Sequence, residues 1–75
     1  MAAAFRIIAT FQDENQPQIN ATAAGLYLAV CEVTRLARQF AALKSITIFD
    51  PDGSKHCFNG QGEYFFTLPP LESLP

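Results

Sequence analysis

Charge is scarce in this sequence: 16% of its residues are Asp, Glu, Lys or Arg, where about 25% is usual for a soluble domain. Five basic and seven acidic residues leave a formal net charge of -2, with no block of either sign. That balance argues against the basic footprint of a nucleic-acid-binding domain and against an acidic DNA mimic. Cysteine is scarce as well. Cys31 and Cys57 form no CxxC pair, so neither a metal knuckle nor a dithiol redox motif is indicated, and both read as reduced thiols that pack like small hydrophobes.

Long apolar runs are absent. Nothing approaches the ~20 residues of a membrane span, and Met1–Arg6 lacks the basic start and the roughly 7–15-residue apolar stretch of a secretory signal. The expectation is a soluble, cytoplasmic protein without membrane association, in which the sequon Asn20-Ala21-Thr22 is coincidental.

Apolar side chains are what the chain does have. Hydrophobic residues make up 49% of its 75 positions, and aromatics 12%. A chain of this size buries only roughly 60% of its unfolded surface, so it cannot easily hide them all. Small domains are commonly steadied by disulfides, a metal or a partner subunit. With no motif for the first two, a partner subunit is favoured, and a homo-oligomer, a dimer first, is the simplest form of it.

Residues 3 to 12 alternate as a strand, with Phe5, Ile7, Ala9 and Phe11 on one face and Arg6, Ile8, Thr10 and Gln12 on the other. Asp13 to Gln18 is polar and reads as an exposed loop leading to a helix, with Asn20 or Thr22 as its N-cap. From Ala21 to about Leu43 the apolar spacing is helical: Leu26, Ala29, Val30, Val33, Leu36, Ala37, Phe40 and Leu43 form the core face. Glu32, Arg35, Arg38 and Gln39 fall on the solvated side. Ala24, Tyr27, Leu28 and Cys31 lie on the outer or flanking side, so the first half of this helix is apolar nearly all round.

Three short strands follow, at 45–49, 54–58 and 63–68, separated by the turn signals Asp50-Pro51-Asp52-Gly53 and Asn59-Gly60-Gln61-Gly62. Pro69-Pro70 ends the last of them. The expected fold is therefore α+β: a single two-layer domain over residues 1–70 in the order β-α-β-β-β, one long helix packed on one face of a largely antiparallel sheet. Residues 71–75 are expected to be a flexible C-terminal tail. Strand order stays open, because the first two strands are parallel if adjacent and can be antiparallel if another strand separates them.

Assigning faces places Phe5, Ile7, Ala9, Phe11, Ile46, Ile48, Tyr64, Phe66 and Leu68 under the helix. Ile8, Phe49 and Phe65 then share the far face with Arg6, Thr10, Thr47, Glu63 and Thr67. For the strand at 54–58, either His56 and Phe58 or Lys55 and Cys57 face inward. The far face has no second helix to cover it, so its apolar residues read as a contact surface.

No catalytic, cofactor or metal site is assigned. His56 and Cys57 are neighbours in a strand and point to opposite faces, so they do not make a thiolate–imidazole pair. Asp50, Asp52 and Gly53 lack the further donors of a calcium loop, and Gly60-Gln61-Gly62 precedes a strand where phosphate loops precede a helix. Arg35, Arg38 and Glu32 read as a solvated face.

Three functions follow in order of preference. The first is a small non-enzymatic protein-interaction module that self-associates or binds another protein through the far sheet face with Ile8, Phe49 and Phe65, through an exposed strand edge, or through the helix patch of Ala24, Tyr27, Leu28 and Cys31. The second is a small-molecule binder or enzyme with a pocket at a subunit interface or between helix and sheet, using His56, Tyr64 or Tyr27 as polar groups. The third is a weak single-stranded nucleic-acid binder stacking bases on Phe49, Phe65 and Phe58, with only Arg6 and Lys55 at hand for phosphates.

Overall fold

A computed structural model describes residues 4–70; the tail expected at 71–75 lies outside them. The chain runs through β1 (Phe5–Phe11), β2 (Ile19–Ala23), α1 (Leu26–Gln39), β3 (Leu43–Phe49), β4 (Lys55–Asn59) and β5 (Tyr64–Leu68). The strands form one sheet in the order β2-β1-β3-β4-β5, and every neighbouring pair is antiparallel. The α+β class, the single helix on one face and the antiparallel sheet are as the sequence implies.

β2 is the addition. The stretch Ile19-Asn20-Ala21-Thr22-Ala23, assigned from sequence partly to loop and partly to helix, pairs with β1 from Phe5↔Ala23 to Ala9↔Ile19. Its period-two alternation decides the matter. Ile19, Ala21 and Ala23 pack against the core, Asn20 and Thr22 are exposed, and the backbone gains a ladder that a helix start would not have given it. Because β1 lies between β2 and β3, the crossover through α1 joins strands on either side of β1, and no parallel pair arises.

The helix is shorter than the apolar spacing suggests. It starts after Gly25, an extended N-cap without a side-chain hydrogen bond, so neither Asn20 nor Thr22 caps it. It ends at Gln39, where Phe40 turns extended and donates its N–H to the Leu36 carbonyl. Leu43, spaced as a helical core residue, opens β3 and is buried there.

Ile7, Ala9 and Phe11 of β1, Ile46 and Ile48 of β3, Phe58 of β4 and Ala29, Val33 and Leu36 of α1 make the core, closed at one end by Leu43. Phe11 meets Phe40 edge-to-face with ring centroids 5.7 Å apart. In β4 it is His56 and Phe58 that take the helix side, since they pair with Ile48 and Ile46.

Tight turns fix the last two hairpins. At the first, Ser54 donates its N–H to Asp52 Oδ1 at 2.7 Å and Gly53 takes the φ of +99° that a side chain resists. At the second, Asn59 Oδ1 accepts the N–H groups of Gln61 and Glu63, each at 2.9 Å. Gly62, at φ +86°, passes so close to α1 that a Cβ there would lie 3.1 Å from that of Ala37.

One face assignment is corrected in β5. The ladder pairs Phe58 with Tyr64 but Cys57 with Phe66, so Phe65 is an extra, bulged residue. The bulge inverts the phase after Tyr64. Phe66 and Leu68, opposite Cys57 and Lys55, lie on the far face, while Thr67, opposite His56, lies on the helix side.

Candidate interaction surface

A five-stranded sheet spans about 19 Å across its strands, whereas one helix is about 10–12 Å wide. One helix therefore cannot cover it. Among the described residues α1 packs on β1, β2 and β3 and makes no comparable approach to β4 or β5. Its C-terminal half touches the β4–β5 turn at Gly62, but beside its N-terminal half the sheet lies open.

The opening is a groove of about 350 Å³ lined by Leu26, Val30, His56, Phe58 and Tyr64. Leu26 and Val30, expected in the core, are 42% and 40% exposed as its helical wall. Phe58 forms the floor and meets Tyr64 edge-on at 5.8 Å. The polar rim is a chain of hydrogen bonds: Asp50 Oδ2 lies 3.3 Å from His56 Nε2, His56 Nδ1 lies 3.1 Å from Thr67 Oγ1, and Thr67 Oγ1 lies 2.8 Å from Tyr64 Oη. The two polar groups singled out from sequence, His56 and Tyr64, thus meet in one groove. Tyr27 is exposed on the helix and does not line it.

Beyond the groove the sheet ends at β5, which is exposed along its whole length. Tyr64, Phe65, Phe66 and Leu68 are 58%, 63%, 48% and 47% exposed. The backbone phase of this edge follows from the neighbouring ladders. Asp50 donates its N–H to the Ser54 carbonyl at 2.9 Å and Asn59 donates to the Glu63 carbonyl at 2.9 Å, so alternation bonds Cys57 and Lys55 to β5. Thr67, opposite His56, then turns its N–H and C=O outward.

The other residues proposed from sequence are scattered. Ile8, partly buried, lies on the far face in one row with Thr47, Cys57 and Phe66. Phe49 lies in the next row and is flanked by cations, with Arg6 Cζ 5.1 Å and Lys55 Nζ 5.7 Å from its ring centre. Leu28 and Cys31 are exposed on α1, on flanks turned away from Leu26 and Val30 at helical spacing. Ala24 is exposed just before the helix. Phe58, buried on the helix side, is not available to stack beside Phe49 and Phe65.

On the helix exterior, Arg35 donates to Glu32 through Nε and Nη2 and to Gln39 Oε1 through Nη1 at 2.6 Å. That hydrogen bonding holds the Glu32 carboxyl below its ordinary range and raises the Arg35 guanidinium. Among the described residues no three His, Cys, Asp or Glu side chains gather to hold a metal, and no helix is long and apolar enough to cross a membrane. Comparison with known proteins finds no matching family model, no matching curated protein and no matching solved structure.

Proposed function

We propose that this chain is a small non-enzymatic protein-interaction module of the cytoplasm, which self-associates or binds another protein through the β5 side of its sheet. The observation that carries this reading is the coincidence of a wholly exposed apolar edge strand with an open apolar groove beside it. Exposed edges are normally blunted by charge, proline, a bulge or a covering element, and of these β5 carries only the bulge at Phe65. Within Tyr64–Leu68 there is no charged residue and no proline, and the side chains offered are aromatic, the type enriched at protein interfaces.

Photo-crosslinking tests it. A benzoylphenylalanine placed at Phe65 should give a covalent adduct with a second copy or with one defined protein when the chain is irradiated in its native host. The same group at Leu28 should not. No adduct at Phe65, or equal adducts at both positions, would remove the reading.

A second reading rests on the groove itself. Its volume falls in the roughly 300–1,000 Å³ range of small-molecule sites, and His56 and Tyr64 place polar atoms at an apolar cleft. It describes a small-molecule binder whose pocket a second subunit closes. A ligand retained in native mass spectrometry and lost in Val30→Lys would favour it over pure protein binding. Stacking of single-stranded nucleic acid draws little support, with Phe49 already flanked by Arg6 and Lys55. Salt-dependent binding to oligonucleotides would be needed to revive it.

A further inference from the structure

We infer that the partner on the β5 edge is a second copy of this chain, joined by antiparallel β5–β5 pairing about a two-fold axis that passes through Thr67. This rests on the interaction reading above and names its occupant.

The register follows from which residues share a face. Residues directly opposite in an antiparallel pair must lie on one face. Pairing centred on Phe66 would set Leu68, on the far face, against the partner's Tyr64, on the helix side, because of the bulge at Phe65. Pairing centred between residues 66 and 67 would oppose the two faces directly. Centred on Thr67, every pair matches: Thr67 meets the partner's Thr67, and Phe66 meets the partner's Leu68 on the far face. The backbone agrees with this choice independently. Thr67 is the residue whose N–H and C=O point outward, so the two copies exchange a pair of N–H···O=C bonds at the axis. Pro69, two residues further on, forms the next outward position, and there its missing N–H leaves no donor stranded.

The same features explain why a copy of this chain suits the edge. The regular window is Phe66–Leu68, bracketed by the bulge on one side and by Pro69 on the other. A longer foreign strand runs into both. A second copy presents a window of identical length, bracketed in the same way, and with no charge in it there is no like-charge opposition across the axis. Phe66 and Leu68, each about half exposed, cover one another.

With the axis normal to the sheet, both helices lie on one side, and the two grooves face each other over a floor of β4, β5 and their two partners. Each groove is thus open on the side that the other copy completes. The area sets the strength. Three rings about half exposed leave on the order of 300 Å² per copy, or about 600 Å² in all, roughly half of the ~1,200 Å² lower end of stable interfaces. Association is therefore concentration-dependent.

Sedimentation of the full chain across about 1 μM to about 1 mM tests this, beside amide exchange at high concentration. The mass should rise from that of one 8.2 kDa chain towards two, with the Thr67 amide protected. Phe66→Lys and Leu68→Lys should each weaken dimerisation by roughly tenfold or more, with circular dichroism unchanged, while Leu28→Lys should not. A monomer throughout, or a dimer with an unprotected Thr67 amide, would overturn the inference. A monomer that still crosslinks through Phe65 to another protein would leave the interaction reading standing and remove only the second copy.

Discussion

Thr67 on β5 sets its hydroxyl 3.1 Å from Nδ1 of His56 on β4, tying the exposed edge strand to the sheet through side chains as well as backbone. The other ring nitrogen of His56 faces a carboxylate oxygen of Asp50, which in its ionised form only accepts hydrogen bonds. A neutral ring therefore carries its proton on Nε2 and accepts the Thr67 hydroxyl at Nδ1, and Thr67 in turn accepts from Tyr64. Thr67→Val cuts this chain in the middle. It should cost about 1 kcal/mol in chemical denaturation and speed amide exchange in β5, and Thr67→Ser should restore both. A Val variant as stable as the parent would show that the chain contributes nothing.

The uneven cover of the sheet predicts uneven mutational costs. Ile46 is fully buried under the helix, so Ile46→Ala should cost about 2–5 kcal/mol, enough to unfold much of a domain this small. Val30 is a groove wall, and Val30→Ala should cost less than about 1 kcal/mol. Urea titrations of the two would contradict the account if their midpoints fell together.

Gly62 should tolerate no side chain. Its φ of +86° and the 3.1 Å approach of a Cβ to Ala37 act together, so Gly62→Ala should lower stability by more than about 1 kcal/mol. At Gly25 a Cβ would meet nothing within 4 Å, and the helix has no side-chain cap. Gly25→Ser should therefore be neutral or stabilise by a few tenths of a kcal/mol. Thermal melts of both variants check the pair.

The β3–β4 turn should respond to acid. The Ser54 N–H, donating to Asp52 Oδ1, holds the Asp52 carboxyl below its ordinary value of 3.8. A folded-state value lower than the unfolded one means that the contribution is complete above pH 3.8 and is lost as pH falls through the depressed folded value. Asp52→Asn retains an acceptor and removes the titration. Its melting temperature should fall less steeply than the parent's on acidification below pH 3.8, and identical slopes would contradict this assignment.

Much of the architecture was legible because local signals agreed with it. Alternation in 5–11, the helical spacing of Ala29, Val33 and Leu36, and the Asp-Pro-Asp-Gly turn each point to one structure. β2 was missed because Ile19–Ala23 alternates over only five residues. Its alanines also fit a helix, and what favours a strand there is pairing with β1, a long-range effect.

The groove was hidden for a different reason. Leu26 and Val30 have core spacing, and only the width of five strands against one helix leaves them uncovered. In β5, three consecutive aromatics, Tyr64-Phe65-Phe66, give no alternation from which a bulge could be read. Faces assigned from strict period two were therefore inverted beyond Tyr64, which moved Phe66 and Leu68 to the far face and Thr67 to the groove side.

The most direct measurement of whether the β5 edge is an interface is the exchange rate of the Thr67 amide as a function of protein concentration, with the Cys57 amide as an internal reference. Thr67 faces outward in the single chain, so its amide should exchange almost freely in dilute solution and become protected as concentration rises, while Cys57, within the ladder, stays protected throughout. A Thr67 amide that exchanges freely at every concentration, with and without cell extract, would contradict the claim that this edge is what the protein uses.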